Sequence, residues 1–224
     1  MTETINGDKI PMPEDGDPKC AVVVLLDNSG SMDGEPIAQL NAGLTTFWQA
    51  LQDDPLAARR CEVAIITFGG SVRVTQDFVS ASNVPQLAAL AASGQTPMGA
   101  AIVRAVEMVS QRKEQYRASG VAQYRPWIFM LTDGQPTDDV SAVIPRVHQG
   151  DAAKSFLFFA VGCYGADMQM LKAIAPPSTP PAYLQGADFQ AMFKWLSDSL
   201  GRVSSSTVGQ QVALPANNWG TITT

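Results

Sequence analysis

Histidine is almost missing from this chain. Across 224 residues His148 stands alone, so a catalytic relay built on imidazole would have to run through that one ring. Cysteine is scarce as well: Cys20, Cys61 and Cys163 are odd in number, widely spaced and set in apolar segments. That pattern excludes a disulfide framework or a metal knuckle and predicts buried, reduced thiols. No stretch approaches the ~18 consecutive apolar residues of a membrane span. The opening "MTETINGDKIPMPEDGDP" has no apolar core of a secretion signal, so the expectation is a cytoplasmic protein. Positive charge is in short supply, with 15 Lys and Arg against 21 Asp and Glu and a net charge of -6. A surface of that sign repels nucleic acid and anionic membrane, and suits cationic partners or a divalent metal. Three motifs are also missing: G-x-x-x-x-G-K-[ST], G-x-G-x-x-G and G-x-S-x-G. Their absence removes nucleotide-loop and serine-hydrolase readings.

What is present is an alternation of two kinds of segment. The runs "CAVVVLLD" (20–27), "CEVAIITF" (61–68), "WIFMLTD" (127–133) and "SFLFFAVG" (155–162) are almost continuously apolar. Strands covered on both faces read this way, so these are expected to be central parallel strands. "GGSVRVTQDF" alternates polar and apolar residues after a Gly-Gly pair, which predicts an antiparallel edge strand. "AYLQ" (182–185) supplies a sixth strand.

Between the runs lie helical spacings. Ile37, Leu40, Leu44, Phe47, Trp48 and Leu51 recur every three or four residues, and Ile102, Val106 and Val109 follow Pro97 in the same rhythm. A third helix from about Asp138 contains Pro145, which predicts a kink or restart. Shorter helices follow at "ADMQMLKAIA" and "ADFQAMFKWLSDSLGRV". The expected fold is therefore α/β: a doubly wound, Rossmann-like, mainly parallel sheet of about six strands, with one antiparallel edge strand and helices on both faces. One domain over residues 18–203 is expected. A flexible arm (1–17) precedes it and a tail (204–224) follows, which Val208, Val212, Leu214 and Trp219 can dock on the body.

Ligands of doubly wound sheets bind beyond the carboxyl ends of the strands. The first strand ends in Asp27, inside "DNSGSM", where Asp27, Ser29 and Ser31 offer hard oxygens from alternate residues and Gly30 allows a tight turn. Asp133 ends another central strand in "FMLTDGQPTDD", and Thr96 lies in "SGQTPMGAA" on the same side of the sheet. Oxygen donors without His or Cys favour Mg²⁺, with Mn²⁺ or Ca²⁺ as alternatives. A cation would also offset a carboxylate left at the end of a buried strand.

Taken singly, each of these residues has an ordinary reading. Asp27 can cap a helix, Ser29 and Ser31 can form turns, and Asp133 before Gly134 can be a plain turn. Thr96 before Pro97 is a good N-cap with proline at the first helical position. Thr137 and Asp138 are expected to cap the helix that follows them. His148 is expected at the solvated surface, and Met168 and Met170 in helix packing.

Taken together, "DNSGS", then Thr96, then Asp133 resemble the metal ion-dependent adhesion site of the von Willebrand factor type A family over residues 18–203. The resemblance implies Ser29 and Ser31 as direct metal ligands and Thr96 as a direct or water-mediated one. It implies Asp27 and Asp133 as carboxylates holding the metal directly or through water. It further implies a noncatalytic module whose partner protein supplies a carboxylate to the metal. "PPSTPPAYLQGADFQAMFKWLSDSL" and the "SSS...G..V.LP....W" tail resemble a bacterial subgroup, the tellurium-resistance TerY-type proteins. That likeness places the chain beside a kinase and a phosphatase in stress or defence clusters. The alternatives are a metal-dependent phosphohydrolase and a metal-free scaffold. A hydrolase of the haloacid dehalogenase type would need an Asp as general acid where Ser29 stands.

Overall fold

The computed structural model describes residues 16–84, 88–185 and 188–222. The chain runs β1 (Cys20–Leu26), α1 (Glu35–Asp53), α2 (Pro55–Arg60), β2 (Cys61–Gly69), β3 (Ser71–Ser80), α3 (Met98–Ala118), β4 (Trp127–Thr132), α4 (Val143–Ala152), β5 (Leu157–Gly162), α5 (Met168–Ile174), β6 (Ala182–Leu184), α6 (Phe189–Ser204) and β7 (Gly220–Ile222).

These strands form one sheet in the order β3-β2-β1-β4-β5-β6-β7. β2, β1, β4, β5 and β6 are parallel neighbours; β3 pairs antiparallel with β2, and β7 antiparallel with β6. The doubly wound α/β class stands, with seven strands and an antiparallel strand at each edge. The seventh strand comes from the tail, where a three-residue strand leaves no alternation long enough to read.

The apolar runs are buried on both faces because their side chains alternate between two cores. Cys20, Val22, Val24 and Leu26 of β1 join Phe47 and Leu51 of α1 and Phe193, Leu196 and Leu200 of α6. Val23 and Leu25 point the other way, to Ala101, Ile102 and Val109 of α3 and Val147 of α4. All three cysteines are buried free thiols.

Of the arm expected over 1–17, residues 1–15 lie outside the described residues. Asp17 is buried and bridges Arg60 at 2.6 Å and Arg59 at 3.1 Å. In the tail, Trp219 is buried and meets the Trp195 ring edge-on at 5.7 Å, while Trp195 Nε1 donates to the Pro215 carbonyl at 2.9 Å. Of the kink or restart expected at Pro145 in a helix from about Asp138, no kink forms, and the helix starts only after a turn. α4 begins at Val143, which puts the proline in the first turn, where a missing N–H costs no helical bond. His148 lies within α4, half-buried, with Nε2 3.2 Å from the Ala173 carbonyl.

Candidate functional site

The parallel strands β1 and β4 are neighbours in register, Leu26 beside Leu131, so their carboxyl ends deliver Asp27 and Asp133 to one edge of the sheet. Asp27 keeps its backbone in the ladder, donating N–H to the Leu131 carbonyl at 3.0 Å. Its side chain then bends the chain: Oδ1 accepts the Ser29 N–H at 2.8 Å. Ser29 opens a short 3₁₀ turn over Gly30–Met32, and the buried Met32 anchors that turn in the core. The Ser29 and Ser31 hydroxyls therefore come within 3.1 Å of each other, and Ser31 Oγ donates to Asp133 Oδ1 at 2.8 Å.

The third loop arrives through close backbone packing. Gly30 donates N–H to the Gly94 carbonyl at 2.9 Å, and Ser93 donates to the Asn28 carbonyl at 2.8 Å. The Gly-Gly pair that ends β2 and turns into β3 does more than form a hairpin, because it is the surface on which two site loops rest. A Cβ on Gly69 would meet the Asn28 carbonyl at 2.2 Å, and one on Gly94 would meet Gly70 Cα at 2.4 Å. Only chain without side chains brings these segments so near. Thr96 is then pinned to the β4 loop, its N–H donating to Thr137 Oγ1 at 3.1 Å and its carbonyl accepting from Thr137 N at 2.9 Å.

Convergence is read most directly at Gly134. A Cβ placed there would lie 3.5 Å from Thr96 Oγ1 and 3.8 Å from both Asp27 Oδ2 and Ser31 Oγ. Three oxygens from two loops thus flank one point on the third loop, next to Asp133. Asp27, Ser29, Thr96 and Asp133 are buried, and Ser31 is exposed at the mouth.

Two expectations change here. Thr96 does not cap α3 with its side chain, and Asp138 does not cap α4. Asp138 reaches across instead, accepting from Gly99 N at 2.9 Å and Ala100 N at 2.8 Å in the first turn of α3. That frees the Thr96 hydroxyl from the capping role.

Thr132 was not anticipated. It is fully buried, its hydroxyl donates to Asp27 Oδ2, and it accepts Gly134 N–H at 3.2 Å. Its signal was present in "LTDG", a polar residue on the last position of an otherwise apolar strand.

The electrostatics are those of a site that wants positive charge. Burial pushes the Asp27 carboxyl above its ordinary value; hydrogen bonds from Ser29 and Thr132 pull it back, and the Asp133 charge pushes it up again. Burial likewise raises Asp133, against the hydrogen bond from Ser31. Cys163 lies beneath, its Sγ 3.5 Å from the Thr132 carbonyl; burial, then the charges of Asp133 and Asp27, keep it a protonated thiol. Among the described residues no group of three or more His, Cys, Asp or Glu is arranged to hold a metal ion. The donor set is two carboxylates and three hydroxyls, which fits a hard, oxygen-seeking cation rather than zinc or copper.

Comparison with known proteins agrees with this architecture. The family model of the von Willebrand factor type A domain matches residues 21–198. No curated protein matches the chain. Among solved structures, a von Willebrand factor type A protein from Catenulispora acidiphila superposes with a TM-score of 0.63 at 17% identity, covering 83% of this chain and 43% of that one. The open form of the pilus adhesin SpaC from Lactobacillus rhamnosus GG gives a TM-score of 0.63 at 15% identity, over 83% of this chain and 30% of the adhesin. The manganese-loaded TRAP protein of Plasmodium vivax gives 0.52 at 17% identity, over 78% and 71%. The chain therefore spans less than half the length of the first two. With the family model covering most of its length, and the strand order and helix placement described above, this chain belongs to the von Willebrand factor type A domain family.

Proposed function

We propose that the chain is a noncatalytic protein-binding module whose adhesive edge is completed by a divalent cation, Mg²⁺ first and Mn²⁺ or Ca²⁺ as substitutes. Asp27, Ser29, Ser31, Thr96 and Asp133 would hold it. The observation that carries the reading is the meeting of Asp27, Ser31 and Thr96 oxygens around one point beside Asp133. When bound, the cation supplies an electrophilic centre with an open position for a partner's carboxylate.

The chain's own residues prepare that position. The Ser29 amide and Thr132 hydroxyl fix both oxygens of Asp27. Ser31 aims Asp133, and the loops bearing Ser29 and Thr96 are locked through Gly30 and Gly94. Support also comes from the family, and from a manganese-loaded protein and an adhesin among the structural neighbours. The C-terminal likeness to TerY-type proteins extends the proposal to a cytoplasmic stress-response or tellurium-resistance role, with kinase and phosphatase components as partners. Hydrolysis of phosphate esters is disfavoured because Ser29, hydrogen-bonded to Ser31, stands where a general acid is needed.

The test joins a thermal melt to a pull-down. Mg²⁺ should raise the melting midpoint of the wild type and not of Asp27→Ala, and partner capture should fail in EDTA and in Asp27→Ala. Capture that survives both refutes the bridging model, and an unchanged midpoint favours a metal-free scaffold.

A further inference from the structure

The loop that follows β5 carries an exposed aromatic in a costly conformation. Tyr164 has φ +51°, the left-handed region that bulky side chains avoid, yet 43% of it faces solvent. A glycine would sit there without strain, and Gly165 is the next residue. The backbone is held in place on both sides. The Cys163 amide donates to the Thr132 carbonyl at 2.9 Å, and the Tyr183 hydroxyl donates to the Tyr164 carbonyl at 2.7 Å. The ring leans on Phe189, with centroids 6.4 Å apart, which fixes its direction while leaving much of it open. Backbone strain kept beside a binding edge points to a role for the side chain it displays.

The location is the rim of the candidate metal site. β5 is the neighbour of β4, so its carboxyl end is adjacent to Asp133, and a Cβ on Gly165 would lie 3.9 Å from the Asp133 carbonyl. Glu35 belongs to the same rim, because it opens α1 only four residues beyond Ser31. Glu35 is exposed at the start of α1, held only by Gln39 Nε2 at 2.7 Å, and forms no ion pair among the described residues. A rim that carries both an exposed aromatic face and an uncompensated carboxylate can receive a cation, Arg above all.

Resting on the metal reading above, we propose that Tyr164 and Glu35 form a second subsite for the same partner: a peptide segment whose acidic residue meets the metal and whose nearby Arg or Lys lies against Tyr164. The acidic residue alone is a weak address, since carboxylates are common on protein surfaces. A basic residue at a fixed offset would make the pair specific, and it would be attracted by a chain of net charge -6.

The experiment is selection of a displayed random peptide library on the full chain in Mg²⁺, for wild type, Tyr164→Ala, Tyr164→Phe and Glu35→Gln. Wild type should enrich peptides with an acidic residue and an Arg or Lys at constant spacing. Synthesised winners should bind Tyr164→Ala about tenfold more weakly, a typical effect of losing an aromatic anchor. Tyr164→Phe keeps the ring and should retain binding, and Glu35→Gln should lose the preference for the basic residue while keeping that for the acidic one. Identical pools from wild type and Tyr164→Ala, an apolar residue in place of the basic one, or no enriched sequence overturn the inference. The Mg²⁺-dependent melt of each variant separates the two proposals. If the midpoint rises with Mg²⁺ while the pools stay the same, only the second subsite fails; if it never rises, the metal reading fails first.

Discussion

Glu62 and Asp27 are buried carboxylates on neighbouring strands, one near the start of β2 and the other just past the end of β1. Glu62 is neutralised from within. Arg112 reaches its Oε2 with Nη2 at 2.6 Å and Nε at 2.8 Å, Tyr116 adds its hydroxyl, and the guanidinium rests 5.4 Å from the Phe78 ring centroid. Among the described residues Asp27 receives only neutral donors, Ser29 N–H and the Thr132 hydroxyl, and the charge acting on it from Asp133 has its own sign. Both carboxylates are buried; only one is compensated. A buried acid with its cation is part of the scaffold, whereas a buried acid facing another acid defines a place where charge must come from outside.

The sharpest way to break this contrast is to remove the internal cation. Arg112→Ala would leave Glu62 buried and alone, and breaking such a pair costs about 3–5 kcal/mol. Urea unfolding should show that loss equally in Mg²⁺ and in EDTA. A loss below about 1 kcal/mol would mean that water reaches Glu62 and that the two ends differ less than their burial implies.

The external cation is tested next. At a hundredfold excess over its Kd, Mg²⁺ should stabilise the wild type by about 2.7 kcal/mol. For a chain of this size that corresponds to a midpoint rise of roughly 5–10 °C. Asp27→Asn should abolish the rise, yet in EDTA it should cost no more than about 1 kcal/mol, since an amide keeps one acceptor and removes the repulsion with Asp133. If Asp27→Asn were as damaging in EDTA as Arg112→Ala, Asp27 would be scaffold too.

The sequence made one half of this contrast legible and hid the other. Asp27, Ser29 and Ser31 could be placed because strand ends and turns are local events, and alternate spacing within one loop needs no knowledge of the rest of the fold. Thr96 and Asp133 followed because parallel strands bring their carboxyl ends to one side. Thr132 escaped because a threonine closing a strand looks like ordinary β-propensity; its partner is 105 residues away in sequence. Asp138 was assigned to the nearer helix on sequence proximity, but the fold brings α3 to it across 39 residues. The Glu62–Arg112–Tyr116 cluster and β7 were invisible for the same reason: each depends on contacts between distant segments, and β7 on only three residues of strand. Local chemistry was readable, and long-range choice of partner was not.

Acidity offers a smaller but more discriminating difference. Asp27 and Asp133 both titrate above the ordinary carboxyl value of 3.8 when folded. In EDTA, their contribution to stability is therefore full below that value and is lost as pH rises through the raised folded-state values. Binding of a cation needs the ionised forms, so the Mg²⁺ increment should grow over the same window. Melts in paired Mg²⁺ and EDTA samples from about pH 4 to about pH 7 should diverge steadily for wild type and run parallel for Asp27→Asn. Curves that converge with rising pH would reverse the assigned sign and remove the argument for an external charge.

The smallest expected effect isolates a single hydroxyl. Ser31 is the exposed member of the set, and its Oγ donates to Asp133 Oδ1 while lying 3.1 Å from Ser29 Oγ. In EDTA, water can replace what Ser31→Ala removes, so the loss should sit at the low end of the range for one hydrogen bond, about 0.5 kcal/mol. In Mg²⁺ the same substitution deletes a donor that water replaces less well, because the protein no longer holds it in place. The apparent Kd for Mg²⁺, read from the concentration dependence of the melt, should weaken about tenfold, equivalent to about 1.4 kcal/mol. Ser31→Thr keeps the oxygen and should restore most of that affinity. The comparison of the two losses decides the matter. An EDTA loss as large as the Mg²⁺ loss would make Ser31 a strut for Asp133 and nothing more, and the open end of the sheet would then resemble the closed one.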